Sequence, residues 1–264
     1  PLPHLRPHLV QAAVVAGSAV LGLLVGSVLN VLIDRVPSKA PLRGPRDGEP
    51  TAPRSWLGLP AQPWVLRGGQ VDGVALPARW LWVEVVTMAG FAQLAVQYGR
   101  STAVIPLFVL AACLVTVSVI DLQLQRIPDR ITFPTLALAL PLMIAVSLQY
   151  DATDRLSGAL VGMATYFVFL LVTHLVYPAG MGFGDVKLAL VMGLFLGWLG
   201  WTDLQPVLGP VRLVLYALML GCVLGVVFGV VHRVATKARG AFPFGPALAM
   251  GCFVVVLFAY DLSL

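Results

Sequence analysis

The chain has 264 residues, of which 59% are hydrophobic and only 11% are charged. A soluble domain carries about 25% charged residues and cannot keep so much apolar surface away from water, so this composition excludes an ordinary soluble globular protein. The net charge of +5 does not indicate nucleic acid as a partner, because basic loops that face anionic lipid account for it. The composition therefore predicts a protein whose main surroundings are membrane lipid.

A membrane-spanning helix needs about 20 predominantly apolar residues. The second candidate segment is weakened by Glu84 and Gln93, and the sixth is short and follows a glycine-rich turn. The first is too long for the core of a signal peptide and is expected to remain as a span. Together the segments predict an all-α polytopic fold of about eight transmembrane helices. They lie at about residues 9–33, 81–98, 102–120, 132–149, 156–178, 186–201, 211–231 and 242–260.

The basic residues are distributed unevenly between the loops that connect these segments. With the N-terminus outside, thirteen of the 17 Lys and Arg residues fall on the cytoplasmic side, in the loops at 34–80, 121–131, 179–187 and 232–241. Cytoplasmic loops carry an excess of Lys and Arg, so this orientation is the predicted one.

The loop at 34–80 is the one extended polar stretch and is rich in Pro, Gly and Arg. It predicts a small irregular cytoplasmic domain between a first span at 1–33 and a seven-span bundle at 81–264. The alternative is a loosely ordered connector that lies on the lipid headgroups, since Trp and Arg both favour the membrane interface.

Glycines recur four residues apart inside two of the apolar segments. Gly22 and Gly26 lie in the first segment, and Gly221, Gly225 and Gly229 lie in the seventh. Such spacing lets neighbouring helix backbones approach each other closely. It predicts helix packing and carries no chemistry.

Two acidic residues are difficult to explain by solvent or ordinary pairing. Asp121 ends the run LVTVSVID at the cytoplasmic end of the third segment, where capping preferences and the helix dipole both disfavour a carboxylate. Asp185 ends the turn MGFGD at the start of the sixth segment, where an ordinary helix N-cap is the alternative. The predicted topology brings both to one membrane face.

Two neighbouring carboxylates share a proton, so that one activates a water molecule while the other polarises a peptide carbonyl. This chemistry needs no metal. Gly182 and Gly184, beside Asp185, would let an extended substrate backbone approach without a side chain in the way.

Four stretches of the sequence together resemble the prepilin peptidases, the GxGD class of membrane aspartyl proteases. VIDLQLQRIPD (119–129) and GMGFGDVKL (180–188) are similar to the segments that carry that family's two aspartates. GSVLNVLIDRVP (26–37) is similar to its first-span exit, and FPFGPAL (242–248) to the entry of its last span. The resemblance implies eight spans and removal of leader peptides from type IV prepilins or type II secretion pseudopilins, at the cytoplasmic face of a bacterial inner membrane.

The resemblance makes Asp121 and Asp185 the catalytic pair. For Asp129 the alternative to a site role is an N-cap of the fourth helix after Pro128. For Lys187 it is a lysine whose charged end extends to the membrane boundary. The remaining motif positions that the resemblance assigns to the site are Asp129, Gly182, Gly184 and Lys187.

Many relatives carry two CxxC pairs in the cytoplasmic loop, at a spacing suited to zinc. This sequence has no cysteine between 38 and 80, and Gln70 and Gly73 stand near the second expected pair, so zinc is not expected. Proteolysis itself is expected to need no cofactor. Bifunctional relatives also methylate the new N-terminus with S-adenosylmethionine, but no glycine-rich strand-to-helix turn indicates that cofactor here, and methyl transfer depends on the resemblance alone.

The alternative function is a proton- or cation-coupled transporter that uses the two aspartates. A relay of that kind requires acids distributed through the membrane depth, whereas Asp121 and Asp185 are predicted at one face. A catalytically silent scaffold is a further alternative, which retention of both acids and both glycines disfavours. His174, inside the fifth segment, is predicted to be a packing residue and not a catalytic one.

Overall fold

The computed structural model describes residues 5–38, 70–71, 74–75, 77–178, 181–236 and 243–262. Within these residues, β1 (Gln70–Val71) and β2 (Val74–Ala75) pair antiparallel, with Val71 opposite Val74. All other regular structure in the described part is helical. The helices are α1 (Leu5–Arg35), α2 (Ala78–Tyr98), α3 (Val104–Leu124), α4 (Asp129–Gln149), α5 (Arg155–Val176), α6 (Phe183–Gly200), α7 (Leu208–Thr236) and α8 (Gly245–Leu262).

Six of the described helices, α1 and α3 to α7, are long and apolar enough to cross a membrane. In α8 the apolar stretch is shorter, Gly245–Ala259, and α2 is in neither group. Lipid offers no hydrogen-bond partners, so a spanning chain must satisfy its backbone internally, as a helix does. The all-α polytopic fold is confirmed, while spanning by α2 and α8 remains a prediction.

Each of the eight predicted segments corresponds to one helix, but several helices begin earlier than their apolar runs. The fourth begins at Asp129 and the sixth at Phe183, each ahead of the expected start. Hydropathy detects the apolar middle of a helix, whereas a polar first turn lies outside the run. Most of the predicted cytoplasmic domain at 34–80 lies outside the described residues. So do Gly180, the first residue of GMGFGDVKL, and Phe242, the first residue of FPFGPAL.

The chain divides into two compact units, residues 1–116 and 117–264. In the first unit, α1 packs against α2 along the two glycines noted in the sequence. A Cβ on Gly22 would lie 2.8 Å from the Cα of Met88, and one on Gly26 would lie 2.7 Å from the Cα of Glu84. Such distances are closer than real Cβ contacts, so the glycines are required for the approach of the two backbones. Their predicted packing role is confirmed.

Polar contacts join the end of α1 to the start of α2. The Asp34 carboxylate accepts hydrogen bonds from Arg79 Nη2 at 2.6 Å and from Trp80 Nε1 at 3.2 Å. Asn30 Nδ2 donates to the backbone oxygen of Trp80 at 3.0 Å. Two residues of the motif GSVLNVLIDRVP, Asn30 and Asp34, therefore bind the first turn of α2.

In the second unit, α6 is buried along most of its length and packs against α4, α5, α7 and α8. Its contact with α5 is made by glycines on both helices. A Cβ on Gly193 would lie 2.8 Å from the Cα of Met163, and one on Gly197 would lie 2.9 Å from the Cα of Gly162. Opposite them, Trp198 Nε1 donates to Ser147 Oγ of α4 at 3.0 Å. The short sixth segment is thus the centre of this unit.

Candidate active site

The two predicted catalytic aspartates lie in the second unit, at the ends of two different helices. Asp121 is in the last turn of α3 and Asp185 is in the first turn of α6. Only 6% of Asp121 and 7% of Asp185 is exposed. A carboxyl group is rarely so buried unless it is paired or has a chemical role.

The two carboxyl groups meet in front of Gly245, the first residue of α8. The Gly245 N–H donates to Asp121 Oδ2 at 3.1 Å. A Cβ on Gly245 would lie 2.7 Å from Asp121 Oδ2 and 3.5 Å from Asp185 Oδ1. Both acids therefore face the same small space, although 64 positions separate them in the sequence numbering.

Asp185 does not cap α6, so the capping alternative is wrong. The N-cap residue is Gly182, whose carbonyl accepts a hydrogen bond from the backbone N–H of Asp185 at 3.1 Å. The carboxyl group of Asp185 lies near both the backbone of Gly182 and the carboxyl group of Asp121. Its Oδ1 is buried and accepts no hydrogen bond from the described residues. This oxygen is therefore available to accept a hydrogen bond from a water molecule or a substrate.

The two glycines of the GxGD motif have different surroundings. A Cβ on Gly184 would lie 2.9 Å from the Cβ of Ile127, so Gly184 is needed for the approach of the loop between α3 and α4. A Cβ on the exposed Gly182 would come no closer than 3.7 Å to any neighbour, and that neighbour is Asp185 Oδ2. The space expected for a substrate backbone is therefore present at Gly182, whereas Ile127 fills it at Gly184.

Asp129 and Lys187 form an ion pair beside the two aspartates. Lys187 Nζ lies 2.7 Å from Asp129 Oδ1 and 2.8 Å from Oδ2, and 5.3 Å from the centre of the Phe183 ring. The N-cap of α4 is Pro128, with no side-chain capping bond, so the capping alternative for Asp129 is also wrong. The pair links the first turn of α4 to the first turn of α6, which carries Asp185.

His174 contacts the same turn from the last turn of α5. Its Nδ1 lies 2.8 Å from the backbone oxygen of Met181, and its ring lies 5.5 Å from the ring of Phe183. With its proton on Nδ1, the imidazole donates to that carbonyl. The sequence predicted packing alone for His174, because nothing in the pattern of α5 reveals a carbonyl brought back to it by the following loop.

A metal ion would need several ligating side chains close together. No group of three His, Cys, Asp or Glu side chains in the described part is arranged to hold a metal ion. Among the described residues, no glycine-rich turn joins a strand to a helix.

The sequence model of the type IV leader peptidase family matches residues 108–230, a range that contains Asp121 and Asp185. A prepilin leader peptidase/N-methyltransferase of Pseudomonas putida is 30% identical over 277 residues, which cover 93% of this chain and 91% of that protein. The chain belongs to the type IV leader peptidase family. The resemblance carried by the four sequence stretches is confirmed.

Further members of the type IV leader peptidase family are similar over the same length. The protein of that same name from Neisseria gonorrhoeae is 30% identical, covering 90% of this chain and 88% of the relative. The one from Bacillus subtilis is 26% identical, covering 90% and 92%. No solved structure matches the chain. These relatives support prepilin processing and give no support to a transporter.

Proposed function

We propose that this member of the type IV leader peptidase family is an intramembrane aspartyl endopeptidase with Asp121 and Asp185 as its catalytic pair. Its substrates are type IV prepilins or type II secretion pseudopilins. The observation that carries the proposal is the meeting of two buried carboxyl groups from different helices in front of Gly245. The names of the relatives, prepilin leader peptidases, support the substrate class.

The chemistry follows from two carboxyl groups that share one proton. The ionised group takes a proton from a water molecule, whose oxygen forms a bond to the scissile carbonyl carbon. The protonated group donates its proton to the carbonyl oxygen. When the tetrahedral intermediate collapses, the C–N bond breaks and the nitrogen takes the proton that the first carboxyl group removed from water. The second carboxylate takes a proton from a hydroxyl group of the intermediate, which becomes the new carboxyl group and restores the shared proton of the pair. The products are the leader's carboxylic acid, which ionises in water, and the mature pilin's new amine.

The other motif residues act on the geometry of this pair. The ion pair between Asp129 and Lys187 fixes the first turn of α6, and Gly184 admits Ile127 against that turn. Gly182 leaves room for an extended peptide beside Asp185. Positioning of this kind contributes strongly to rate, because a displacement of about 1 Å can cost about 10²-fold.

The proposed location is a bacterial inner membrane, with the N-terminus outside and the two aspartates at the cytoplasmic face. The excess of Lys and Arg in the loops on that side supports the orientation. A suitable substrate has its cleavage bond just inside the cytoplasmic face and an apolar helix after it. Prepilins inserted with a short basic leader in the cytoplasm meet that description.

Methylation of the new N-terminus is a second candidate activity, since the names of the relatives include N-methyltransferase. S-adenosylmethionine would supply the methyl group.

The proposal is tested with purified protein in detergent and a prepilin that carries a basic leader. Asp121→Asn and Asp185→Asn should each lower the cleavage rate by at least about 10²–10⁴-fold, the usual contribution of a positioned acid or base. Mass spectrometry follows the loss of the leader, with and without a chelator. A gain of one methyl mass on addition of S-adenosylmethionine reports the second activity.

The matched control is Asp151→Asn, the same chemical change in the exposed turn between α4 and α5. It should cleave at the wild-type rate. Cleavage by both dyad variants at that rate would rule out the aspartyl mechanism, and a folded wild-type protein that cleaves no prepilin would rule out the function.

A further inference from the structure

The motif FPFGPAL has no role in the chemistry described so far, yet the structure brings its glycine to the two aspartates. Gly245 is buried and is the first residue of α8. The first backbone N–H groups of a helix have no acceptor within it. The one at Gly245 donates to Asp121 Oδ2 at 3.1 Å, so α8 supplies a donor to an acid that lies at the end of α3.

We propose that Gly245 is a positioning residue of the catalytic pair. Its N–H fixes one oxygen of Asp121, and its lack of a side chain leaves the space in which Asp121 and Asp185 face each other. The inference deepens the proposed proteolytic function and rests on it.

Space, and not backbone conformation, requires glycine at this position. Gly245 has no positive φ, so any residue could adopt its backbone conformation. A Cβ there would lie 2.7 Å from Asp121 Oδ2, closer than real Cβ atoms come to other atoms, and 3.5 Å from Asp185 Oδ1. Addition of a single methyl group would therefore displace the Asp121 carboxyl group or move the start of α8.

The start of α8 is held in place by α7 through Phe244. The Phe244 ring lies on Gly225, where a Cβ would come 2.9 Å from the ring atom Cδ2 and closer still to Cε2. The Phe244 carbonyl accepts hydrogen bonds from the N–H groups of Ala247 and Leu248 at 3.1 and 3.2 Å. Gly225 of α7 leaves room for the Phe244 ring, and the position of Phe244 in turn determines where the Gly245 N–H lies.

The direct test is Gly245→Ala, assayed for prepilin cleavage in detergent. We expect kcat to fall by about 10²-fold while KM stays within about twofold, because the methyl group displaces the reacting acid and not the substrate. The atom that the methyl group meets is the end of the Asp121 side chain and not backbone, so the thermal midpoint should stay close to that of the wild type. The control is Gly17→Ala in α1, where an added Cβ meets nothing within 4 Å, and its kcat should match the wild type.

A second pair of variants tests the same inference without a change at Gly245. Gly225→Ala should push the Phe244 ring outward and lower kcat with little change in KM. Combination with Phe244→Leu, which removes the closest clashing atom Cε2 and keeps a branched apolar side chain, should restore part of the lost kcat. A purely structural role for these residues would change the thermal midpoint without this rescue of kcat.

The outcomes separate the inference from the function on which it rests. Wild type and Asp121→Asn are run in the same assay, and their difference decides the proteolytic function. If they differ but Gly245→Ala retains the wild-type kcat, the function stands and the positioning role is wrong. If Gly245→Ala does not fold, the test passes to Gly225→Ala and its combination with Phe244→Leu. The inference is wrong if Gly225→Ala keeps the wild-type kcat, or if adding Phe244→Leu restores none of the lost kcat. If the wild type cleaves no prepilin, both the proteolytic function and the positioning role of Gly245 are wrong.

Discussion

His174 donates to the carbonyl of Met181, directly before the turn that carries Asp185. We expect His174→Leu to lower kcat by about fivefold, since a hydrogen bond of this kind contributes about 1 kcal/mol. His174→Asn should retain most of the activity, because its amide nitrogen stands where Nδ1 stands in the ring. Cleavage kinetics on prepilin at fixed pH compare the two. Equal kcat for the Leu and Asn variants would contradict a role for the hydrogen bond.

The ion pair between Asp129 and Lys187 could not be predicted from the sequence. The motif resemblance named both residues, but nothing in their types or spacing states that they bind each other across 58 positions. The Asp129 side chain is 52% exposed, and an exposed pair contributes only about 0–1 kcal/mol to stability. We therefore expect this ion pair to matter for the placement of the start of α6 more than for the stability of the fold.

At the scale of whole elements, the apolar runs predicted each helix of the described part and its approximate middle. They did not predict the start of α6, because Gly184 and Asp185 belong to its first turn and are neither apolar nor good helix formers. The apolar runs also gave no indication that α5 and α6 pack against each other. Gly158 and Gly162 repeat at the spacing of Gly193 and Gly197, a pattern present in the sequence, but the pairing of two such helices depends on tertiary packing.

That contact gives a prediction about stability. Gly162→Ala places a methyl group against the Gly193 carbonyl and the Gly197 backbone, where no flexible side chain can move aside. We expect it to destabilise the protein by about 1–3 kcal/mol, the usual cost of overpacking. Gly17→Ala, in open space, should be neutral or stabilising by up to about 1 kcal/mol. Unfolding in detergent with increasing denaturant measures both, and equal stability of the two variants would contradict the packing argument.

At the scale of the whole molecule, the sequence predicted the membrane class, and it placed both aspartates at one face of the membrane. It could not predict that they meet, because a shared face leaves a wide range of distances, and side-chain packing between α3, α6 and α8 decides the distance. Gly245 shows the limit most clearly. A glycine before Pro246 at a helix start is unremarkable in sequence, and only the three-dimensional contact reveals its position beside Asp121.

The orientation of the chain in the membrane is a separate prediction, since the excess of Lys and Arg in four loops supports it while the fold is compatible with either orientation. The test replaces the three native cysteines by alanine and adds a single cysteine with Thr153→Cys or Gln123→Cys. A membrane-impermeant maleimide applied to spheroplasts should label the Thr153→Cys variant in the turn after α4. It should label the Gln123→Cys variant, near the end of α3, only after the membrane is permeabilised. The opposite pattern would put Asp121 at the outer face, away from a leader peptide held in the cytoplasm, and the proposed substrate could then not reach the dyad.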